Sequence, residues 1–342
     1  MGNSYSRVKK GLRNPYRAAS YLIDKSYRIP TITISSKFPI GTSIFDREWD
    51  TLIILDTCRV DALQALSNEY EFLTDISRIR SVGGTTFEWL AHTFSSDNGD
   101  ELEDTAYLTP HGWAEKILDS GELPSGDNIP KGIDSLKRFG DYDIVHASEI
   151  SKFERVARYL PKNVDLECAA QFLDSVPKEY TEGRTPPKFV TDRAIALNRS
   201  NNFERMILHY VQPHTPYLAD AIAESRPLHR YEECPFEYIK RTGDRDSVWN
   251  SYLNELRWVL DDIEILLENI DSERVVISAD HGEAFGEFGI FGHHTGSLHP
   301  QIRFVPWAST TATDSGSYEP QVTPIKSSNP MIEKNLKALG YL

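Results

Sequence analysis

The chain is poor in cysteine, and the three it has, Cys58, Cys168 and Cys234, stand far apart in 342 residues. That spacing provides neither a disulfide framework nor the closely paired cysteines of a zinc knuckle, so a reducing, cytoplasmic setting is expected. Long hydrophobic runs are missing too: nothing approaches the roughly 18 consecutive apolar residues that span a bilayer. The N-terminus is basic but no apolar stretch follows it, as a secretory leader would require. Positive charge is also in short supply. With 37 Lys and Arg against 51 Asp and Glu, the formal net charge is −14, and an acidic body repels nucleic-acid backbones, which argues against DNA or RNA as a partner.

What positive charge there is gathers at one end. Residues 1–28 hold seven Lys or Arg and one acid, Asp24, a net +6 that leaves −20 for the remainder. Interleaved with Tyr5, Tyr16, Tyr21, Leu22 and Ile23, these cations give an arm (1–40) that could lie at the periphery of an anionic membrane. A catalytic domain is expected over 41–310, and a tail with a short helix over 311–342.

The run "TLIIL" (51–55) reads as a buried strand, and it stops at Asp56. Val60, Leu63 and Leu66 then recur at helical spacing. "SVGGTTFEWLAHTF" places a flexible turn at Gly83-Gly84, after which Thr85 or Thr86 caps a helix. Residues 95–185 read as insertions and short helices. A helix over 189–200 and a strand from Met206 to Val211 follow, and the strand runs into a Pro-bounded loop with His214. Residues 245–270 carry one apolar stripe, Val248, Tyr252, Leu256, Val259, Ile263, Leu267 and Ile270, the pattern of a long amphipathic helix. "RVVIS" is another buried strand, which delivers Asp280-His281-Gly282 to its end, and "IRFVPW" (302–307) is a late strand. Strands alternating with helices predict an α/β fold, a mostly parallel central sheet with helices on both faces. Ligands in such sheets bind at the carboxyl ends of the strands.

At those ends stand Asp56, Thr85 or Thr86, His214, and Asp280 with His281. Carboxylate oxygens and an imidazole suit a divalent cation. A threonine at a helix N-terminus lies where anions bind, and beside a cation its hydroxyl could become a nucleophile. The combination fits attack on a phosphate or sulfate ester.

Three segments carry a resemblance. "DTLIILDTCRVDAL" resembles the first metal-binding strand of the alkaline phosphatase/sulfatase superfamily. "SADHGEAFGEFGIFGHHTGSLHPQIRFVPW" resembles its late metal motif, and "HYVQPHTPYL" the substrate-side loop of sulfatase-like members. The resemblance covers roughly 50–94 and 200–307 and implies an alkaline phosphatase-like fold. It implies Asp56, Asp280 and His281 as ligands of one divalent metal ion (Ca²⁺, Mn²⁺, Mg²⁺ or Zn²⁺). Thr86, or Thr85, would be nucleophile and fourth ligand. His214 and His293 would contact the anionic group or protonate the leaving oxygen, and Arg59 is a candidate anion contact. The chain departs from true sulfatases: no cysteine begins the Cys-x-Pro-x-Arg motif that yields formylglycine. It departs from two-zinc phosphatases too, since Gln212 and His214 stand where those carry an Asp-x-x-x-His. The resemblance therefore implies a metal-dependent phosphoester hydrolase or phosphotransferase acting on an anionic ester, a glycan or lipid head group. The alternatives are a sulfate-ester hydrolase without formylglycine and a non-catalytic scaffold.

Overall fold

The structure, a computed structural model, describes residues 40–94, 101, 105–111, 169–171, 185–200 and 204–321. The basic arm, the C-terminal helix, Cys168 and most of the expected insertions lie outside the described residues. In chain order the elements are β1 (Thr51–Leu55), α1 (Val60–Ala65), β2 (Ile76–Arg80), α2 (Thr86–Thr93), β3 (Thr105–Thr109), β4 (Ala169–Gln171), α3 (Pro187–Ser200) and β5 (Arg205–Tyr210). There follow three short helices, α4 (Ala219–Ala223), α5 (Arg230–Glu233) and α6 (Pro235–Thr242), then the long α7 (Asp246–Leu267) and β6 (Ser272–Ser278). A small hairpin of β7 (Ala284–Phe285) and β8 (Phe291–Gly292), a short α8 (Pro300–Arg303) and β9 (Phe304–Ala312) complete the order.

Seven strands form one sheet in the order β2-β9-β6-β1-β5-β3-β4. β1 lies at its centre, paired parallel with β5 on one side and β6 on the other. β3 extends the parallel run beyond β5, and β4 beyond β3. β9 alone runs against its neighbours, β6 and β2. The architecture is therefore the expected mostly parallel α/β sheet with helices around it. Every residue of β1 is buried, which is why its sequence is a continuous apolar run rather than an alternation. α7 supplies the expected stripe: Val248, Tyr252, Leu256, Val259 and Ile263 are all fully buried.

The structure differs from the sequence reading in several places. Thr105–Thr109 and Ala169–Gln171 are strands within the stretch read as insertions and short helices. The "IRFVPW" strand begins two residues later, because Pro300–Arg303 forms a helical turn with Pro300 at its start, where a missing N–H costs nothing. The strand then continues to Ala312, into what reads as tail. β2 was not anticipated; only Ile79 of its five residues is buried, so it lacks an apolar signature.

The carboxyl end of β1 is held by a tyrosine from α7. Tyr252 Oη accepts the Arg59 N–H at 3.0 Å and donates to the Thr57 carbonyl at 2.8 Å. It thereby pins a turn in which Thr57 sits at φ 66°, a conformation that costs a β-branched residue free energy. Tyr252→Phe leaves both backbone groups buried without this partner. We expect it to lower unfolding free energy by about 1–3 kcal/mol, measurable by urea denaturation.

α3 and α7 pack together, and Asp262 of α7 lies at that seam, where the Thr191 hydroxyl meets its carbonyl at 3.5 Å. Burial pushes the Asp262 carboxyl up to about 7; Lys188 opposes this, while Asp192 and Asp261 add to it. The folded protein thus keeps a proton that the unfolded chain releases near its ordinary value of 3.8. Stability attributable to this group is present at low pH and declines as pH rises from about 4 to 7. Asp262→Asn should raise the melting temperature at pH 8 by about 2 °C or more, and the gain should vanish at pH 4 in the same thermal scan.

Candidate metal and nucleophile site

β1, β5 and β6 end side by side, and their ends bring the acidic and imidazole groups together. Asp56 extends the ladder by one residue, its N–H donating to the Tyr210 carbonyl at 3.1 Å. Two residues beyond β6, Asp280 receives the Thr57 N–H at 3.3 Å and the His281 N–H at 2.8 Å on the same oxygen, Oδ1. The Ser81 hydroxyl donates to its carbonyl. Gly282 follows because the chain passes so close to the turn of α8: a Cβ there would stand 2.1 Å from the Gln301 carbonyl oxygen. Its N–H donates to the Ile302 carbonyl at 2.8 Å.

Asp56, Asp280 and His281 are 1%, 0% and 0% exposed, and one ligand atom from each lies within 4.8 Å of the others. His281 Nε2 is 3.3 Å from Asp280 Oδ2 and 3.8 Å from Asp56 Oδ1. Burial, with the charge of His293 adding to it, pushes His281 well below the usual imidazole range, so the ring is neutral. Its Nδ1 faces the Gly282 carbonyl at 3.0 Å, an acceptor, so the proton sits on Nδ1. Nε2 therefore turns a lone pair toward two carboxylate oxygens. Asp280 Oδ2 receives no hydrogen bond among the described residues. Acceptors facing acceptors in a buried place are repulsive unless a cation lies between them. Two carboxylates and a neutral imidazole fit a divalent ion by donor type, and the Nδ1 bond to a carbonyl is the support that ligating histidines ordinarily have.

The two threonines take different positions. Thr85 is the N-cap of α2, its Oγ1 accepting the Glu88 N–H at 3.2 Å. Thr86 is the first residue of the helix, and its Oγ1 stands 3.3 Å from His281 Nε2. Glu88, buried, receives the Gly84 N–H at 2.7 Å and the Gly296 N–H at 3.1 Å. It ties the glycine turn before α2 to the loop after β8. That turn is tight: a Cβ on Gly83 would lie 2.4 Å from the Trp89 nitrogen.

His293 packs its ring 4.4 Å from His281 and 5.3 Å from His214, so all three expected histidines share one side of the site. Its Nδ1 is 3.1 Å from both oxygens of Glu283, which is 1% exposed. Burial alone would lower His293, but the Glu283 carboxylate overrides it and holds the imidazole up at about 9. His214 is half-buried, with Nδ1 2.7 Å from the Thr215 carbonyl. Arg59 is not an anion contact. Its guanidinium is committed to Asp61 at 2.6 Å, Glu287 at 2.8 Å and the Glu283 carbonyl at 3.2 Å, and it lies over the ring of Trp249.

Four residues here went unrecognised in the sequence. Glu283 and Glu88 are charged positions beside motifs that were read, and both are buried. His111 follows β3, with Nε2 3.5 Å from Asp56 Oδ2. His209 lies inside β5, fully buried, with Nε2 3.8 Å from Asp280 Oδ2, and burial pushes it down to about 3.

No protein-family profile and no curated protein matches the chain. Solved structures do. Lipooligosaccharide phosphoethanolamine transferase A from Neisseria meningitidis is similar as its soluble domain, at 18% identity over 76% of this chain and 75% of that one, with a TM-score of 0.40. As the integral membrane protein it gives 15% identity, 89% of this chain, 55% of that chain and a TM-score of 0.45; this chain thus spans about half of that protein. The C-terminal periplasmic domain of phosphoethanolamine transferase EptC from Campylobacter jejuni gives 14% identity, coverage of 75% and 77%, and a TM-score of 0.42. A putative sulfatase from Bacteroides thetaiotaomicron gives 14%, coverage of 85% and 70%, and 0.39. These neighbours are the kinds of protein that the sequence motifs resemble. The likeness is one of fold, and the chemistry rests on the site's own residues.

One expectation is corrected. The chain was expected to be cytoplasmic, yet the similar domain of EptC is periplasmic. The cysteines that prompted the expectation do not discriminate: burial raises the Cys58 thiol far above its ordinary range, so it is inert in either compartment.

The Glu283–His293 pair can be measured directly. In metal-free Glu283→Gln protein, the His293 imidazole should titrate at least about 1 pH unit lower than in the parent, as followed by NMR of the ring protons.

Proposed function

We propose that this chain is a metal-dependent phosphoester hydrolase or phosphotransferase with Thr86 as its nucleophile. One observation carries the reading: Thr86 Oγ1, at the head of α2, stands 3.3 Å from the unprotonated Nε2 of His281, which itself faces Asp56 and Asp280. Thr85, the other candidate, is occupied as the cap of the helix.

Asp56, Asp280, His281 and Thr86 would hold one divalent cation. When bound there, it supplies positive charge that favours the threonine alkoxide and an incoming anionic ester. The N-terminus of α2 presents its N–H groups to the same place, which suits a phosphoryl oxygen. Thr86 Oγ1, its proton released to solvent, forms the new bond to phosphorus as the ester oxygen departs, leaving a phosphothreonine that water or an acceptor hydroxyl then cleaves, releasing the threonine hydroxyl. His293, kept protonated by Glu283, is the group able to give the departing oxygen a proton, and it is then restored by taking one from water or from an acceptor hydroxyl. His214 beside it contacts the anionic group. The substrate class is an anionic ester on a glycan or lipid head group. One neighbour is named for lipooligosaccharide and another as a 2-O GAG sulfatase, and the class of anionic ester on a glycan or lipid is brought to this chain as part of the proposal.

The two threonines separate by mutation. Thr86→Ala should reduce kcat on an aryl phosphate by about 10³-fold or more, the order seen when an interaction made in the transition state is lost. Thr85→Ser, which preserves the cap, should retain activity within a few-fold. Full turnover by Thr86→Ala would exclude this mechanism.

A further inference from the structure

Arg59 carries a permanent charge on a side chain only 5% exposed, and the mechanism leaves it without a task. Its placement links two parts of the site. The backbone of Arg59 belongs to the turn that follows Asp56, where Tyr252 Oη accepts its N–H at 3.0 Å. The stem passes Gly282, where a Cβ would stand 3.6 Å from Arg59 Cγ. The head reaches the β7–β8 hairpin. Nε and Nη2 donate to the Asp61 carboxylate at 2.9 and 2.6 Å. Nη1 donates to the Glu283 carbonyl at 3.2 Å and to Glu287 Oε1 at 2.8 Å. The guanidinium lies over the rings of Trp249 and Phe285, 5.1 and 5.4 Å from their centroids.

We propose that Arg59 is a positioning residue for the Glu283–His293 pair, and through that pair for departure of the ester oxygen. The hairpin register shows what it holds. Ala284 of β7 is paired with Gly292 of β8, so Glu283 and His293 are the next residues outward, at the open end where the hairpin joins the site. Nearer the tip, Glu287 Oε2 accepts the Phe285 N–H at 2.6 Å, and its Oε1 accepts Arg59 and Arg245, each at 2.8 Å. Arg59 thus grips both the open end and the tip. A hairpin this short does not hold its own shape in water, so a brace from outside it fixes where the Glu283 carboxylate points. A guanidinium suits this place: its planar fork serves two carboxylates and a carbonyl in different directions while stacked on rings, whereas an ammonium is a compact, strongly hydrated charge. Stability alone does not call for such a group, since packed apolar side chains often replace a buried ion pair at little cost.

The inference rests on the proposed role of His293 as proton donor, and the experiment separates the two. Arg59→Lys keeps the charge and loses the fork. It is assayed on 4-nitrophenyl phosphate, whose phenolate leaves without help, and on an alkyl phosphate, whose departing oxygen needs a proton. The variant should lose about 10-fold more kcat on the alkyl ester than on the nitrophenyl ester, part of the roughly 10²–10⁴-fold that a positioned acid supplies. Glu287→Gln should shift the same ratio in the same direction by a few-fold, and it carries the kinetic readout if Arg59→Lys does not fold. Asp61→Asn, on the solvent side of the guanidinium, should leave the ratio as it is. Equal losses on both esters in Arg59→Lys, or an unchanged ratio in Glu287→Gln, would show a merely structural role and overturn the proposal. An unchanged ratio in Glu283→Gln would instead remove His293 as the acid. A crystal structure of Arg59→Lys then decides the positioning without reference to activity. The Glu283 carboxylate should have left the 3.1 Å contact it makes with His293 Nδ1 in the parent protein; a contact kept at that distance would overturn the proposal.

Discussion

The structure turns on a cluster of acceptors that cannot be neighbours by themselves. Two carboxylates and the lone pair of a neutral imidazole are buried within 4.8 Å of one another at the ends of parallel strands. Charge in that setting is costly unless it is paired. The backbone relieves part of the cost through the Thr57 and His281 N–H groups, both of which point at Asp280 Oδ1. The rest is a demand for positive charge, and much of the surrounding detail serves to keep the demand fixed in place. Tyr252 holds the turn after β1, Gly282 lets the chain pass the Gln301 carbonyl, and the Gly282 carbonyl selects the His281 tautomer.

A second set of buried carboxylates does a different task. Glu88 and Glu283 are not ligands. Glu88 gathers backbone N–H groups from two loops and fixes where α2 begins relative to the segment after β8. Glu283 faces His293 and keeps it charged. The site thus has two imidazoles with packed rings and opposite protonation states. His281 is neutral because burial dominates, and His293 is cationic because a carboxylate sits on its Nδ1. Separation of protonation between adjacent titratable groups is what acid and base roles in one site require.

Much of this was legible in the sequence, for reasons particular to each element. β1 and β6 announce themselves because strands at the centre of a parallel sheet are buried on both faces and must be apolar throughout. Asp56 and Asp280-His281 were legible because polar residues that end such runs stand at the carboxyl edge. β2 was hidden because only one of its five side chains is buried, and β3 because "TAYLT" is a short apolar piece in a loop-rich stretch. The choice between Thr85 and Thr86 could not be made from sequence, since either can cap a helix; only the direction of each hydroxyl separates them. Arg59 could be read as an anion contact or as half of an ion pair; the ion pair holds, and one partner, Glu287, was not legible because it lies 228 positions away. His209 looked like core, and it is core, but its free nitrogen faces a carboxylate 71 positions on.

Charge balance connects the acidic composition to the site. The body of the chain is strongly negative, and Asp56 and Asp280 add two charges where an anionic ester would have to approach. One divalent cation would neutralise only that pair. His293 contributes one further positive charge on the β8 side. The helix N-terminus of α2 contributes a partial one, roughly half an elementary charge.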